Sequence, residues 1–314
     1  MAEKIVGIDL GGTMVKIGIV NSNGEIVKKD EIATKLELGF QKVVERICEK
    51  IKEMVELKDV KAVGIGSPGS IDHDKGIIEF SPNFPGWNNV PLKDEVEKYL
   101  NVPVFIENDA NSAALGEKWF GEGKNKDHIV VLTLGTGIGG GVITHGKLLT
   151  GGNGIGAELG HMIVDPHGPV CGCGNYGCLE AMASATALIR YANEGRKRFP
   201  ESMIFEFERQ REVLGAREIF DAYRSNDKLA IRIFDTFVEA MSVGITSIIH
   251  IFNPQMVILG GGMSKSADLF IPKITEKVNM RVIPSFMGTF KIVGSKLGND
   301  AGILGAAAIA LENL

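Results

Sequence analysis

Apolar residues in this chain fall into short runs broken by glycine turns, with helical stripes between them. Ile5, Val6, Ile8 and Leu10 form one run and residues 14–20 another, separated by Asp9-Leu10-Gly11-Gly12-Thr13. Short runs rich in β-branched residues and bounded by glycine predict strands over 5–10 and 14–20. Asn21-Ser22-Asn23-Gly24 then reads as a hairpin into a third strand over 25–28. The order recurs further on. A strand over 129–133 meets Leu134-Gly135-Thr136-Gly137-Ile138-Gly139-Gly140-Gly141, then Val142-Ile143, a turn at His145-Gly146, and a strand over 147–149. This weak internal repeat suggests two copies of one β-meander. A third glycine turn, Gly260-Gly261-Gly262, closes a strand over 256–259.

Val44, Ile47, Ile51 and Val55 lie three or four residues apart and predict a helix over 40–57, with Cys48 beside the stripe as a core thiol. Asn108 or Asp109 can cap a helix over 110–119. A long pattern over 227–252 stops before Asn253-Pro254, because the residue before proline disfavours helix. A last helix over 301–311 is so rich in glycine and alanine that something must pack closely against it. Strands alternating with helices give α/β layers.

Length and composition narrow the class. At about 100–200 residues per domain, 314 residues suggest two domains. A hydrophobic content of 44% with 23% charged residues is that of a folded globular chain. Glycine is the outlier at 40 residues, nearly twice the usual ~7%, which points to tight turns or to backbone approaching a ligand. A net charge of -5 argues against a nucleic-acid partner. No apolar stretch nears the ~18 residues of a membrane span. Met1-Ala2-Glu3-Lys4 leads directly into a strand with no basic or apolar leader, so the expected location is the cytoplasm. There, 4 cysteines serve more readily as metal ligands or core thiols than as disulfides.

Three groups of residues suggest chemistry. Gly135-x-Gly137-x-x-Gly140 matches the dinucleotide fingerprint in letters, yet it leads into a strand where that fingerprint must open a helix. No Walker A pattern exists, since neither Gly123-Lys124 nor Gly146-Lys147 is followed by Ser or Thr. Two glycine hairpins can instead cradle a triphosphate through backbone N–H groups, with Thr13 and Thr136 adding hydroxyls and Asp9 placed to hold Mg²⁺. The competing reading is two ordinary turns with Asp9 capping one. His161-x9-Cys171-x-Cys173-x4-Cys178 has the donors of a Cys₃His zinc site, whose four protein ligands leave no open position for water. Its rival is three unrelated thiols in a glycine loop. Glu107-Asn108-Asp109, at the end of a strand over 104–106, is either a ligand site or a plain helix cap. Glu158 and Glu180 flank the cysteine loop, and acids without an aromatic cage suit a polyhydroxylated ligand.

Together these motifs resemble the ROK family (repressors, open reading frames and sugar kinases). The residues responsible are Asp9-Leu10-Gly11-Gly12-Thr13, Glu107-Asn108-Asp109, the turn from Leu134 to Gly141, Glu158-Leu159-Gly160-His161 and Cys171-Gly172-Cys173-Gly174-Asn175-Tyr176-Gly177-Cys178-Leu179-Glu180. Gly260-Gly261-Gly262 and Ala301-Gly302 complete the set, so the resemblance covers nearly the whole chain. The cysteine–glycine element is highly specific, whereas actin-like ATPases share the aspartate–glycine–glycine–threonine turn more widely. Within the family the likeness is to bacterial kinases of glucose.

The resemblance implies an α/β, two-domain actin-like (ribonuclease H-like) sugar-kinase fold with ATP and sugar in the cleft between domains. A small domain would span 1–109, with the C-terminal helix over 300–314 packing back on it, and a large domain over 110–299 would carry the zinc loop. Asp109 would be the base that takes the proton of the sugar's 6-hydroxyl. Gly69, Asn83, Asn108, Asp109, Glu158, His161 and Glu180 would line the sugar. Gly11, Gly12, Thr13, Lys16, Gly135, Thr136, Gly137, Gly261 and Gly262 would hold Mg-ATP, with Asp9 on the magnesium side. His161, Cys171, Cys173 and Cys178 would bind a structural zinc, His161 keeping one ring nitrogen for the sugar. The activity implied is ATP-dependent phosphorylation of glucose to glucose 6-phosphate, by a homodimer or larger assembly. Fructose, mannose, allose, N-acetylglucosamine and N-acetylmannosamine remain alternative substrates, and polyphosphate an alternative donor. A sugar-sensing repressor of the family would need a DNA-binding helix-turn-helix ahead of the first turn, where only four residues precede the strand.

Overall fold

The structure, a computed structural model, describes residues 4–21, 23–81 and 84–314; Asn83 lies outside the described residues. The chain forms two compact units, one of residues 1–127, 141–157 and 296–314, the other of 128–140 and 158–295. The first begins with strands β1 (Lys4–Leu10), β2 (Met14–Asn21) and β3 (Ile26–Ala33), then helix α1 (Phe40–Met54) and strand β4 (Val60–Ser67). Short strands β5 (Ser70–Asp72), β6 (Ile77–Phe80) and β7 (Asn88–Val90) follow, then α2 (Leu92–Leu100), β8 (Val104–Asn108) and α3 (Asp109–Phe120). The main sheet has the order β3-β2-β1-β4-β8, antiparallel through its first three strands and parallel thereafter, while β5, β6 and β7 make a small antiparallel sheet. β3 runs past the predicted 25–28 because Lys28, Lys29, Asp30 and Glu31 lie on an exposed edge, where no apolar pattern reports the strand.

Alternation along β1 assigns its two faces. Val6, Ile8 and Leu10 join Val44, Ile47 and Ile51 of α1 and Val96 of α2 in a buried core. Cys48 sits in that core, and burial pushes its thiol up to about 12. Ile5, Gly7 and Asp9 point the other way. There the register aligns Gly18, Gly7 and Gly64 across three adjacent strands.

The surplus of glycine goes partly into this row, and not only into turns. A Cβ at Gly7 would run into the Ile303 carbonyl, at Gly18 into the Ile303 side chain, and at Gly64 into the Ala306 carbonyl. The helix in this groove is the alanine-rich C-terminal one, which buries Ile303, Ala306, Ala307 and Ala310. Gly64→Ala is therefore expected to cost about 1–3 kcal/mol through overpacking. Gly152→Ala, whose Cβ would meet nothing within 4 Å, is the control. Equal melting temperatures for the two variants would refute the tight-groove account.

The chain continues through β9 (Ile129–Leu134), β10 (Ile138–Thr144), β11 (Lys147–Leu148), α4 (Leu179–Ala183), α5 (Ala185–Gly195), α6 (Met203–Arg211), α7 (Ala216–Arg224) and α8 (Lys228–Phe252). It ends with β12 (Met256–Gly260), α9 (Ala267–Arg281), β13 (Lys291–Gly294) and α10 (Ala301–Glu312), the C-terminal helix of the groove. The second sheet has the order β11-β10-β9-β12-β13. Both sheets thus run third, second and first strand of a meander, followed by two later strands in parallel register. The repeat seen in the sequence is a repeat of this topology. In the second unit Phe220 of α7, Phe234 and Phe237 of α8 and Phe270 of α9 pack ring against ring. Asp227 caps α8, and Asn253, in left-handed conformation, ends it before Pro254. Among the described residues no helix is long and apolar enough to cross a membrane.

Candidate active-site elements

In the first unit, Asp9 lies on the α10 face of β1, beside Gly302, where any side chain would collide with its carboxylate. Burial raises its carboxyl above the usual range, and Lys16, 3.8 Å away on β2, partly offsets this. The turn after it is held from behind. Gly11 N–H donates to the Met14 carbonyl at 3.1 Å, Thr34 Oγ1 donates to the Gly11 carbonyl at 2.6 Å, and Thr34 N–H donates to the Thr13 carbonyl at 2.8 Å. Gly12 and Thr13 are exposed on top of this support. Thr34 gave no signal in the sequence, because its role depends on the β2–β3 pairing that returns it to the turn.

The strand-to-helix turn from β8 to α3 settles which residue is the cap. Asn108 Oδ1 accepts from Ala110 N–H at 2.9 Å, and Asn108 Nδ2 donates to the Gly69 carbonyl at 3.1 Å. Asp109 is then the first residue of the helix, exposed, with Oδ1 2.8 Å from Ala110 N–H. Gly69 has φ +112, and a Cβ there would meet the Phe80 carbonyl, so only glycine fits beside Asn108. Glu107 is buried; its Oε1 accepts from Asn108 N–H at 2.7 Å and from Asn111 Nδ2 at 3.0 Å. Burial pushes the Glu107 carboxyl up, while His73, Asn111 and Asn108 pull it back.

In the second unit, His161, Cys171, Cys173 and Cys178 converge, with their ligand atoms all within 4.8 Å of one another. Cys171 Sγ is 3.6 Å from His161 Nδ1, and Cys173 Sγ is 3.7 Å from Cys178 Sγ. Tetrahedral zinc, with bonds of about 2.3 Å to sulfur and 2.0 Å to nitrogen, has edges of about 3.8 Å between sulfurs and 3.5 Å between sulfur and nitrogen. The donor set fits. Nδ1 of His161 faces the cluster, which leaves Nε2 on the opposite side of the ring.

Glu158 is exposed at the start of the short 3₁₀ turn Leu159–His161. Glu180 braces the glycine turn: its Oε2 accepts from Ile138 N–H at 2.9 Å, and its Oε1 lies 3.8 Å from Cys171 Sγ. Gly135, Thr136 and Gly262 line a cavity of about 640 Å³, together with Ala216 and Phe220 of α7 and Met263. Gly261 packs its backbone onto Leu134. Ala216 and Phe220 carry no motif, so only the folded arrangement of α7 assigns them to this cavity.

Paired sheets of matching order, each with a glycine turn after its first strand, define a two-domain actin-like α/β fold of the sugar-kinase type. The ROK family model matches residues 5–313, and the chain belongs to the ROK family. It is 51% identical over 311 residues to the glucokinase of Thermotoga maritima, covering 99% of this chain and 98% of that protein. A crystal structure of a ROK family glucokinase from Streptomyces griseus, in complex with glucose and AMPPNP, superposes with a TM-score of 0.83 at 34% identity, covering 98% of this chain and 99% of that one. The xylose repressor of Caldicellulosiruptor bescii is 34% identical over 99% of this chain and 78% of that protein.

Proposed function

We propose that this chain is an ATP-dependent hexokinase that phosphorylates glucose at its 6-hydroxyl. The observation that carries the reading is Asp109, an exposed carboxylate at the first turn of α3 whose neighbour Asn108 does the capping, in a chain 51% identical to a glucokinase. In this role Asp109 accepts the hydroxyl proton while the alcohol oxygen attacks the γ-phosphorus of ATP, the bond from that phosphorus to the β,γ-bridging oxygen breaks, and ADP leaves. Phosphoryl transfer through a loose transition state requires mainly positioning and neutralisation of charge. The family resemblance supports Glu158 as acceptor and His161 Nε2 as donor to sugar hydroxyls in one unit, and Asn108 and Gly69 as sugar-binding residues in the other. Glu180 joins them while bracing Ile138.

The backbone of Gly11, Gly12 and Thr13 and that of Gly135, Thr136 and Gly137 contact the phosphates, with Lys16 beside the first turn. The 640 Å³ cavity by Gly262 takes the nucleoside. Asp9 would hold the Mg²⁺ of Mg-ATP, which would neutralise phosphate charge. His161, Cys171, Cys173 and Cys178 would hold a structural zinc that would rigidify the loop, and four protein donors would leave it no open position to activate a nucleophile. The family resemblance supports a cytoplasmic homo-oligomer acting at the entry of glucose into glycolysis.

A coupled ADP-release assay across glucose, fructose, mannose, allose, N-acetylglucosamine and N-acetylmannosamine tests the reading. Glucose is expected to give the highest kcat/KM. Turnover of every sugar at the rate of ATP hydrolysis in water would overturn it.

A further inference from the structure

His73 stands just after β5, in the turn toward β6, and no motif marks it. Its Nδ1 lies 3.2 Å from Glu107 Oε2, and its Nε2 lies 3.0 Å from the Gly154 carbonyl. A carbonyl only accepts, so Nε2 carries a proton and donates it. Gly154 is shaped to this contact: its φ is +85, and a Cβ would stand 2.8 Å from His73 Cδ2. The other Glu107 oxygen holds Asn108 N–H and Asn111 Nδ2, the turn that presents Asp109. Gly154 belongs to the glycine-rich segment 150–157, which closes on itself through Gly156 N–H to the Thr150 carbonyl at 2.8 Å and runs straight into Glu158.

We infer that His73 is a positioning residue that ties the segment leading into Glu158 to the Glu107-supported turn carrying Asp109. This rests on the roles given above to Asp109 and Glu158. One ring nitrogen serves each end of the tie, so the two ends can be cut separately. An asparagine amide reaches the place of Nδ1 and keeps the Glu107 link. A glutamine amide reaches the place of Nε2 and keeps the Gly154 link.

The experiment compares His73→Ala, His73→Asn and His73→Gln by steady-state kinetics with glucose, by melting temperature, and by hydrogen exchange of the amides of 150–157. Losing one oriented hydrogen bond to such a group corresponds to about a tenfold effect. His73→Ala is expected to raise KM for glucose and lower kcat, each about tenfold by the same reckoning. His73→Asn should recover kcat with KM still raised, and His73→Gln should recover KM with kcat still low. Amides of 150–157 should exchange faster in the alanine and asparagine variants and at the wild-type rate in the glutamine variant. Wild-type kinetics in all three variants would overturn the inference, as would a parallel fall of kcat, affinity and melting temperature without the split. If the wild-type chain phosphorylates no sugar, the kinase reading fails and the exchange data decide the tie alone: unchanged exchange in His73→Ala removes it, and faster exchange upholds it.

Discussion

Asp109→Asn is expected to lower kcat by about 10²–10⁴, the usual cost of removing a general base. The amide has the size of the carboxylate and still meets hydroxyls, so glucose affinity measured by calorimetry should change far less. Helix formation should also survive, because the cap is Asn108 and not Asp109. Glu158→Gln provides the contrast. Its proposed task is to hold the sugar, so KM should rise at least as much as kcat falls. Near-wild-type turnover by Asp109→Asn would reduce Asp109 to a helix residue and move the search for the base elsewhere.

Loss of metal should have the second largest effect. Protein purified without chelator is expected to contain one zinc per chain by elemental analysis, and Cys173→Ser should lose it. A structural zinc contributes folding free energy outright. A loss of about 3 kcal/mol lowers the melting temperature of a chain of this size by about 5 °C. Cys48→Ser should leave the metal content unchanged, since Cys48 is sealed in the core between β1 and α1. Substoichiometric zinc together with three freely titrating thiols in the native chain would refute the assignment.

What the sequence made legible follows from how local each feature is. Asp9-Leu10-Gly11-Gly12-Thr13 and the cysteine loop are set by neighbours within a few residues, so their letters announce them. The α8 helix was equally plain, because its stripe runs unbroken to Asn253-Pro254. Thr34 and His73 were invisible for the opposite reason: each acts on backbone that only strand pairing or loop return brings near, at Gly11 for one and Gly154 for the other. Glu180 was legible as an acid beside the cysteines, yet its bond to Ile138 N–H needs the second glycine turn in place. The choice between Asn108 and Asp109 as cap was undecidable in letters, since both side chains cap helices well.

The glycine row of the first sheet also sets an order of events during synthesis. Gly7, Gly18 and Gly64 leave the ribosome early, but the backbone they are shaped to receive belongs to α10, roughly 300 residues after β1, a separation that makes closure slow. Until Ile303 and Ala306 emerge, that face of the nascent sheet is a bare apolar trough with Ile5, Val20 and Ala62 uncovered. The stretch 158–295, contiguous and with its own aromatic core, can condense first. The unit made first is therefore the unit finished last, and its open trough is the surface on which a chaperone or an unwanted self-association would act.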